Sequence, residues 1–366
     1  VQIPFVDLKG QSKAIRQELL DAVDRVLQHG QFILGPEVIQ LEQRLALQLE
    51  IEHVIAVNSG TDALLLGLRS LGIGPGDEVI TVSHSFFATA AAICMAGATP
   101  VFVDVLAETM LMDPLDVERA ATAATKAVLP VHLNGHCCDM DQLASLCARR
   151  GWALVEDAAQ AFGAQWRQKA AGTFGLGCFS LHPLKVLNAC GDGGLVAVAD
   201  AELALSLRRF RNLGLRDRDH ACLISGNSRL DTLHASMILA KLNHLEEWQA
   251  ARASLAAQYR QRLQTLVHLP PSQPECQPNY SIFVVRHPQR DALRAYLAQA
   301  GIDTRIHYPV PIHRQEAYAR YHRRPLPETE RVVASCLSLP LYPTLQQDQM
   351  DHICSSVETF CRTHPL

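Results

Sequence analysis

The stretch Val54-Ile55-Ala56-Val57-Asn58-Ser59-Gly60-Thr61-Asp62-Ala63-Leu64 decides the fold. Four apolar residues make a short strand with no polar alternation, so both of its faces are covered. Ser, Gly, Thr and Asp then make a turn of the kind that caps a helix, and the helical pattern runs on to residue 71. Working outward, the same alternation recurs. Residues 78–82, 100–103, 127–131, 153–156, 178–181 and 194–198 have strand character, and residues 88–96 and 141–149 have helix character. Short apolar strands separated by helices imply an α/β class with a large, mostly parallel sheet. Residues 233–263 hold neither Pro nor Gly and predict one long helix. Pro270, Pro271, Pro274 and Pro278 then mark the entry to a smaller α+β unit built from 280–285, 290–300 and 347–359. The expected division is a large domain over 1–250, including an N-terminal arm and the start of the linking helix, and a small domain over 251–366.

The bulk properties exclude several classes. The chain has 366 residues, enough for more than one core. A net charge of -4 with no long basic run leaves no electrostatic footprint for nucleic acid. The 11 cysteines are an odd number without a regular framework, and no pair has the C-x-x-C spacing of a metal or redox site. They are expected to be reduced in a cytoplasmic protein, with no metal. The first residues, VQIPFVDLKGQ, lack the pattern of a signal peptide, and the apolar run 87–97 is too short to cross a membrane.

Three segments carry residues suited to chemistry. In Asn58-Ser59-Gly60-Thr61-Asp62, backbone N–H groups at a helix start can hold a phosphate, although the same residues also serve as an ordinary N-cap. In Val155-Glu156-Asp157-Ala158-Ala159-Gln160, Asp157 ends an apolar strand, where ligands of open α/β sheets collect. It is either a cap or a carboxylate that keeps a ring nitrogen protonated, as pyridoxal phosphate (PLP) requires to act as an electron sink. In Phe179-Ser180-Leu181-His182-Pro183-Leu184-Lys185, Lys185 follows a strand among few charges. Desolvation there would favour the neutral amine that attacks an aldehyde, whereas most loop lysines are simply solvated. The glycines of Gly191-Asp192-Gly193-Gly194 would let the backbone pass close to a cofactor.

Phosphate cradle, acid at a strand end, then Ser and Lys near glycines is an order that resembles fold-type I PLP-dependent transferases, the aspartate aminotransferase-like fold. The chain as a whole resembles the DegT/StrS family of nucleotide-sugar aminotransferases. Matching stretches run nearly end to end: Ile3-Pro4-Phe5-Val6-Asp7-Leu8, Ser59-Gly60-Thr61-Asp62-Ala63-Leu64, Pro100-Val101-Phe102-Val103-Asp104, Glu156-Asp157-Ala158-Ala159-Gln160-Ala161, the lysine segment, Arg211-Asn212-Leu213-Gly214, His307-Tyr308-Pro309 and Leu337-Ser338-Leu339-Pro340.

The resemblance implies roles for single residues. Lys185 would bind PLP covalently and then move protons, with Asp157 on the pyridine nitrogen and Gln160 on the phenolic oxygen. Thr61, Asp62 and Ser180 would hold the phosphate, and Phe86 would stack on the ring, with Phe87 as its neighbouring alternative. Asn227 would reach the cofactor phosphate of a partner subunit in a homodimer with shared sites. Arg229 would lie near the sugar or the amino donor's carboxylate, and His307 and Tyr308 would line the sugar pocket. The implied reaction moves an amino group from L-glutamate to a nucleotide-linked keto sugar. The stretch Ile306-His307-Tyr308-Pro309-Val310-Pro311-Ile312-His313 favours C3 over the alternative, C4.

Relatives that act as sugar dehydratases carry histidine in place of the lysine, so Lys185 favours transamination. A PLP-binding sensor without turnover is the rival from another class. Two departures stand out. Gly-Asp-Gly-Gly replaces the family's usual Gly-Glu-Gly-Gly, and Leu133-Asn134-Gly135 replaces Leu-Tyr-Gly. The sequence does not specify the nucleotide (dTDP, UDP or GDP), the sugar stereochemistry or the role of His182.

Overall fold

The computed structural model describes residues 2–366. Its strands, in chain order, are β1 (His53–Val57), β2 (Glu78–Val82), β3 (Thr99–Val103), β4 (Thr125–Leu129), β5 (Ala153–Asp157), β6 (Gln165–Trp166), β7 (Lys169–Ala170), β8 (Leu176–Ser180), β9 (Gly194–Val198), β10 (Cys276–Gln277), β11 (Phe283–Arg286) and β12 (Cys336–Leu339). The main sheet has seven strands in the order β1-β9-β8-β5-β4-β2-β3. Every strand but β9 runs in one direction. β2 and β9 are buried at every residue, as expected of a sheet with helices on both faces. The α/β class and the mostly parallel sheet expected from the sequence are therefore present. Two strands, β4 and β8, begin two residues earlier than the sequence pattern suggested.

Packing explains why the sheet holds its register. Glu42, on the helix Pro36–Leu49, accepts the Ala56 N–H at 2.9 Å and pairs with Arg211, whose guanidinium also reaches the Ala56 carbonyl at 2.9 Å. Both side chains are buried, so the pair must satisfy itself. Glu156, fully buried in β5, accepts three backbone N–H groups, from Gly172, Phe174 and Gly175, at 2.7–2.8 Å. It also faces His132 Nε2 at 3.0 Å. This carboxylate ties the loop before β8 to β5 and thereby sets the neighbouring strand end at Asp157.

The single helix expected over 233–263 is two helices, Thr232–Leu242 and Leu245–Leu263. The chain turns at Asn243, whose N–H closes back on the Ala240 and Lys241 carbonyls, while the next residue, His244, is held by the Glu18 carboxylate at 2.9 Å. Neither Pro nor Gly is needed, because the two helices serve different cores. Ala235, Ile238 and Leu242 pack in the core of the main sheet, whereas Leu255, Tyr259 and Leu263 pack in a second core with Phe283, Val285, Leu293, Ile353 and Phe360. Ile3 also lies in this second core, its backbone bonded to Gly301 and Asp303. The first residues, grouped above with the large unit, are thus held in part by the small one. Among the described residues no helix is long and apolar enough to cross a membrane.

Candidate active site

The carboxyl ends of the parallel strands open on one cavity of about 320 Å³. Ser59 and Thr61 enter it after β1, Ser85 and Phe86 after β2, Val131 after β4, Asp157 from β5, and Ser180 and Lys185 from β8 and its loop. The small unit adds His307, Tyr308, Leu339 and Leu341, and the N-terminal segment adds Phe5 and Val6.

Asp157 is the last residue of β5 and is 5% exposed. Its carboxylate accepts the Thr89 hydroxyl at 2.8 Å and the Ala159 N–H at 3.2 Å. Thr89 in turn meets the Ser85 hydroxyl at 2.8 Å. Burial pushes the Asp157 carboxyl above the usual carboxylate range, and Thr89, Ala159 and the charges of Lys185 and His132 pull it back towards ionisation. The hydroxyl chain therefore supports an anion where the strand end alone would disfavour one.

Lys185 is partly accessible, and among the described residues none accepts a hydrogen bond from its amine. Burial pulls its pKa down to about 8, against the opposing attraction of Asp157. His182 stabilises the chain just before it, accepting the Leu184 N–H on Nδ1 at 3.3 Å.

The helix Gly60–Ser70 begins at the cavity with Ser59 as N-cap, its hydroxyl accepting the Asp62 N–H at 3.0 Å. The Gly60 and Thr61 amides are left without intrahelical acceptors, as at any helix start. Ser180 is against them: a Cβ on Gly60 would come within 2.7 Å of the Ser180 Cβ. The glycines after Lys185 allow close packing against neighbouring protein atoms. A Cβ on Gly194 would meet the Ser59 carbonyl at 2.2 Å, and one on Gly191 the His234 ring at 2.9 Å.

On the opposite wall, Gln160 donates to the Tyr308 hydroxyl at 3.0 Å and accepts the Asn134 N–H at 2.7 Å. Burial, then the Asp157 charge, push the Tyr308 phenol well up. His307 Nδ1 meets the Ser338 hydroxyl at 2.9 Å, and burial with the nearby Lys185 charge pulls the imidazole down to about 4, so it is neutral at pH 7. Phe86 is 44% exposed on the cavity, with its ring 5.6 Å from that of Tyr308. Phe87, its rival for the stacking position, does not line the cavity.

Of the residues singled out from sequence, Thr61, Phe86, Asp157, Gln160, Ser180, Lys185, His307 and Tyr308 converge on this cavity. Asp62, Asn227 and Arg229 do not line it. Asn227 is exposed, and Arg229 donates to Asn212 at 2.9 Å in the same loop system. Sequence reasoning missed Thr89, Phe5 and Arg252. Arg252 is a buried guanidinium on the cavity wall that donates to the Leu341 carbonyl at 2.9 Å. Only the Ile3-Pro4-Phe5 motif pointed towards any of them.

The model of the DegT/DnrJ/EryC1/StrS aminotransferase family matches residues 13–358. The chain belongs to that family. A dTDP-3-amino-3,4,6-trideoxy-alpha-D-glucose transaminase of Streptomyces venezuelae is 44% identical over 361 residues, covering 97% of this chain and 95% of the relative. The crystal structure of S. venezuelae DesV in complex with a ketimine intermediate superposes with a TM-score of 0.96 at 43% identity, covering 98% of each chain. NtdA from Bacillus subtilis, with bound cofactor PMP (pyridoxamine phosphate), superposes with a TM-score of 0.93 at 29% identity, covering 99% of this chain and 85% of that one.

The donor set of this family member suits a cofactor of that kind. An unpartnered amine of lowered pKa and a buried carboxylate share one cavity. Free helix-start amides and a hydroxyl lie together at one end, with an aromatic face on the wall.

Proposed function

We propose that this protein uses PLP to transfer an amino group from L-glutamate onto C3 of a nucleotide-linked keto sugar. The observation that carries the proposal is the presence in one cavity of the Lys185 amine, its pKa lowered to about 8, and the buried Asp157 carboxylate. When bound, PLP supplies an electron sink for the carbanion formed as a proton leaves the amine-bearing carbon.

The residues divide the work. Lys185 would hold the cofactor aldehyde through its Nζ and, once freed by the donor's amine, would move the proton between the donor carbon and the cofactor. A pKa of about 8 suits it to both taking and giving a proton near neutral pH. Asp157, supported by Thr89, keeps the ring nitrogen protonated. The Gly60 and Thr61 amides with Ser180, and Asp62 through the same helix start, hold the phosphate. Phe86 stacks on the ring. Gln160, oriented by the Asn134 N–H and Tyr308, faces the phenolic oxygen. His307 and Tyr308 line the sugar side.

Asn227 and Arg229 lie outside their own cavity on one loop, which suits a homodimer in which each subunit completes the other's site. The C3 position rests on residues 306–313 and on the 3-amino sugar product in the relative's name.

The test is spectroscopic. PLP-loaded protein should show a band near the visible edge that moves to shorter wavelength on addition of L-glutamate, with release of 2-oxoglutarate. Bound PLP that glutamate leaves unchanged would remove the donor assignment. Failure to bind PLP would remove the proposal.

A further inference from the structure

Behind the loop that carries Lys185, outside the cavity lining, lies a buried lysine with no role in the proposed reaction, Lys241. The loop over residues 181–193 is closed by the Leu181 N–H on the Gly193 carbonyl at 2.8 Å and the Ala189 N–H on the Leu181 carbonyl at 2.7 Å. Inside it, the Asn188 side-chain amide donates to the Lys185 carbonyl at 2.9 Å. Asn188 is itself gripped by Lys241, on the helix Thr232–Leu242. The Lys241 ammonium donates to the Asn188 Oδ1 at 2.6 Å and to its backbone carbonyl at 3.1 Å. Lys241 is 5% exposed and Asn188 4%.

Among the described residues no carboxylate pairs with Lys241, and burial lowers its pKa, with Cys190 opposing. A space-filling Met or Leu would fill this position without desolvating a charge. Beside the Cys190 thiol, the ammonium gives two hydrogen bonds to the two oxygens of one asparagine, which fixes that amide's orientation with its NH2 turned to Lys185. The Lys185 amine has no side-chain partner of its own, so the placement of its backbone decides where the amine sits in the cavity.

We infer that Lys241 and Asn188 are positioning residues for Lys185: the buried ammonium aims the Asn188 amide, and that amide fixes the main chain from which the Lys185 amine reaches into the cavity. The inference rests on the proposed role of Lys185 in capturing PLP.

The experiment uses cofactor-free wild type, Lys241→Met, Asn188→Leu and the double variant. One readout is the rate of PLP capture, followed by absorbance and confirmed by borohydride trapping and peptide mass at Lys185. The other is the Kd of pyridoxine 5′-phosphate, which carries an alcohol in place of the aldehyde and cannot link to lysine. Each single variant should slow capture about tenfold, since misplacement by a fraction of an ångström has effects of that order. The double variant should be no slower than the worse single one, as expected of members of one chain of contacts. The pyridoxine phosphate Kd should stay within about twofold, because the phosphate site is elsewhere.

Capture at the wild-type rate in both variants overturns the inference, as does a parallel loss of pyridoxine phosphate binding or a multiplicative effect in the double variant. If Lys241→Met does not fold, Asn188→Leu carries the test alone. Wild-type protein that leaves no trapped Lys185 overturns the proposed function and this inference with it. Trapping that is equal in wild type and variants overturns the inference alone.

Discussion

The pKa of Lys185 can be tested without any cofactor. At a pKa of about 8, the amine is neutral in about one molecule in eleven at pH 7, against about one in 2,500 for a lysine at ~10.4. That is an enrichment of roughly 230-fold in the nucleophilic form. The perturbation is Asp157→Asn. Burial lowers the Lys185 pKa and the Asp157 charge raises it, so removing that charge should move the midpoint below 8.

The assay is trace labelling with acetic anhydride from pH 6 to 10, with the Lys185 peptide quantified by mass spectrometry. In wild type the labelling rate should rise about tenfold between pH 7 and 9 and then level off, because the neutral fraction goes from about 0.09 to about 0.9. In Asp157→Asn the plateau should arrive at lower pH. A wild-type rate still climbing beyond pH 10, or a midpoint that moves up in the variant, would refute the reasoning.

Three further outcomes are expected. Lys185→Met should stabilise the cofactor-free protein. With a folded pKa of about 8 and an unfolded value of ~10.4, the desolvation penalty on the partly accessible ammonium is complete below pH 8 and vanishes above ~10.4, with an upper bound of about 3 kcal/mol that solvent screening reduces. A melting temperature raised at pH 7 but unchanged near pH 10.5 is the signature, and a lowered one contradicts it. Thr89→Val removes a buried hydrogen bond to a carboxylate, about 1.5–3 kcal/mol, and should cut turnover by roughly tenfold to a hundredfold. Steady-state kinetics beside a melting curve separates the two effects: the melting temperature should drop, and turnover per folded molecule should still fall at least tenfold. Arg211→Met strands the buried Glu42 carboxylate and should destabilise the fold by about 3–5 kcal/mol. Urea unfolding measures this, and turnover per folded molecule should not change, because the pair lies outside the cavity.

The residues legible in the sequence were those whose role is local. Asp157 and Ser180 stand at the ends of apolar strands, and Ser59 to Asp62 cap a helix, so a short window displayed each of them. Lys185 was visible for the same reason, a few residues past a strand. What stayed hidden depends on contacts between distant segments. Thr89 supports Asp157 from 68 positions away, and Lys241 grips Asn188 from 53 positions away. Neither has a pattern of its own within a helix. The choice between Phe86 and Phe87 is made by how the segment after β2 meets Tyr308, which adjacent identical residues do not reveal. The glycines near Lys185 mark close approach in the sequence, but which protein groups come near, the Ser59 backbone and the His234 ring, is visible only in the fold. The break between the two long helices was hidden because Asn243 and His244 are tolerated within a helix. Only the partition between two cores and the Glu18 contact make the turn there.

The measurement that tests the central claim most directly is isotope transfer. Purified protein loaded with PLP is incubated with 15N-labelled L-glutamate and, separately, with 3-keto and 4-keto nucleotide sugars carrying dTDP, UDP or GDP. The products are then read by mass spectrometry and by NMR of the aminated carbon. The account predicts 15N at C3 of a 3-keto sugar, dependent on Lys185. No labelled sugar from any keto substrate, or labelling that persists in Lys185→Ala, would contradict it.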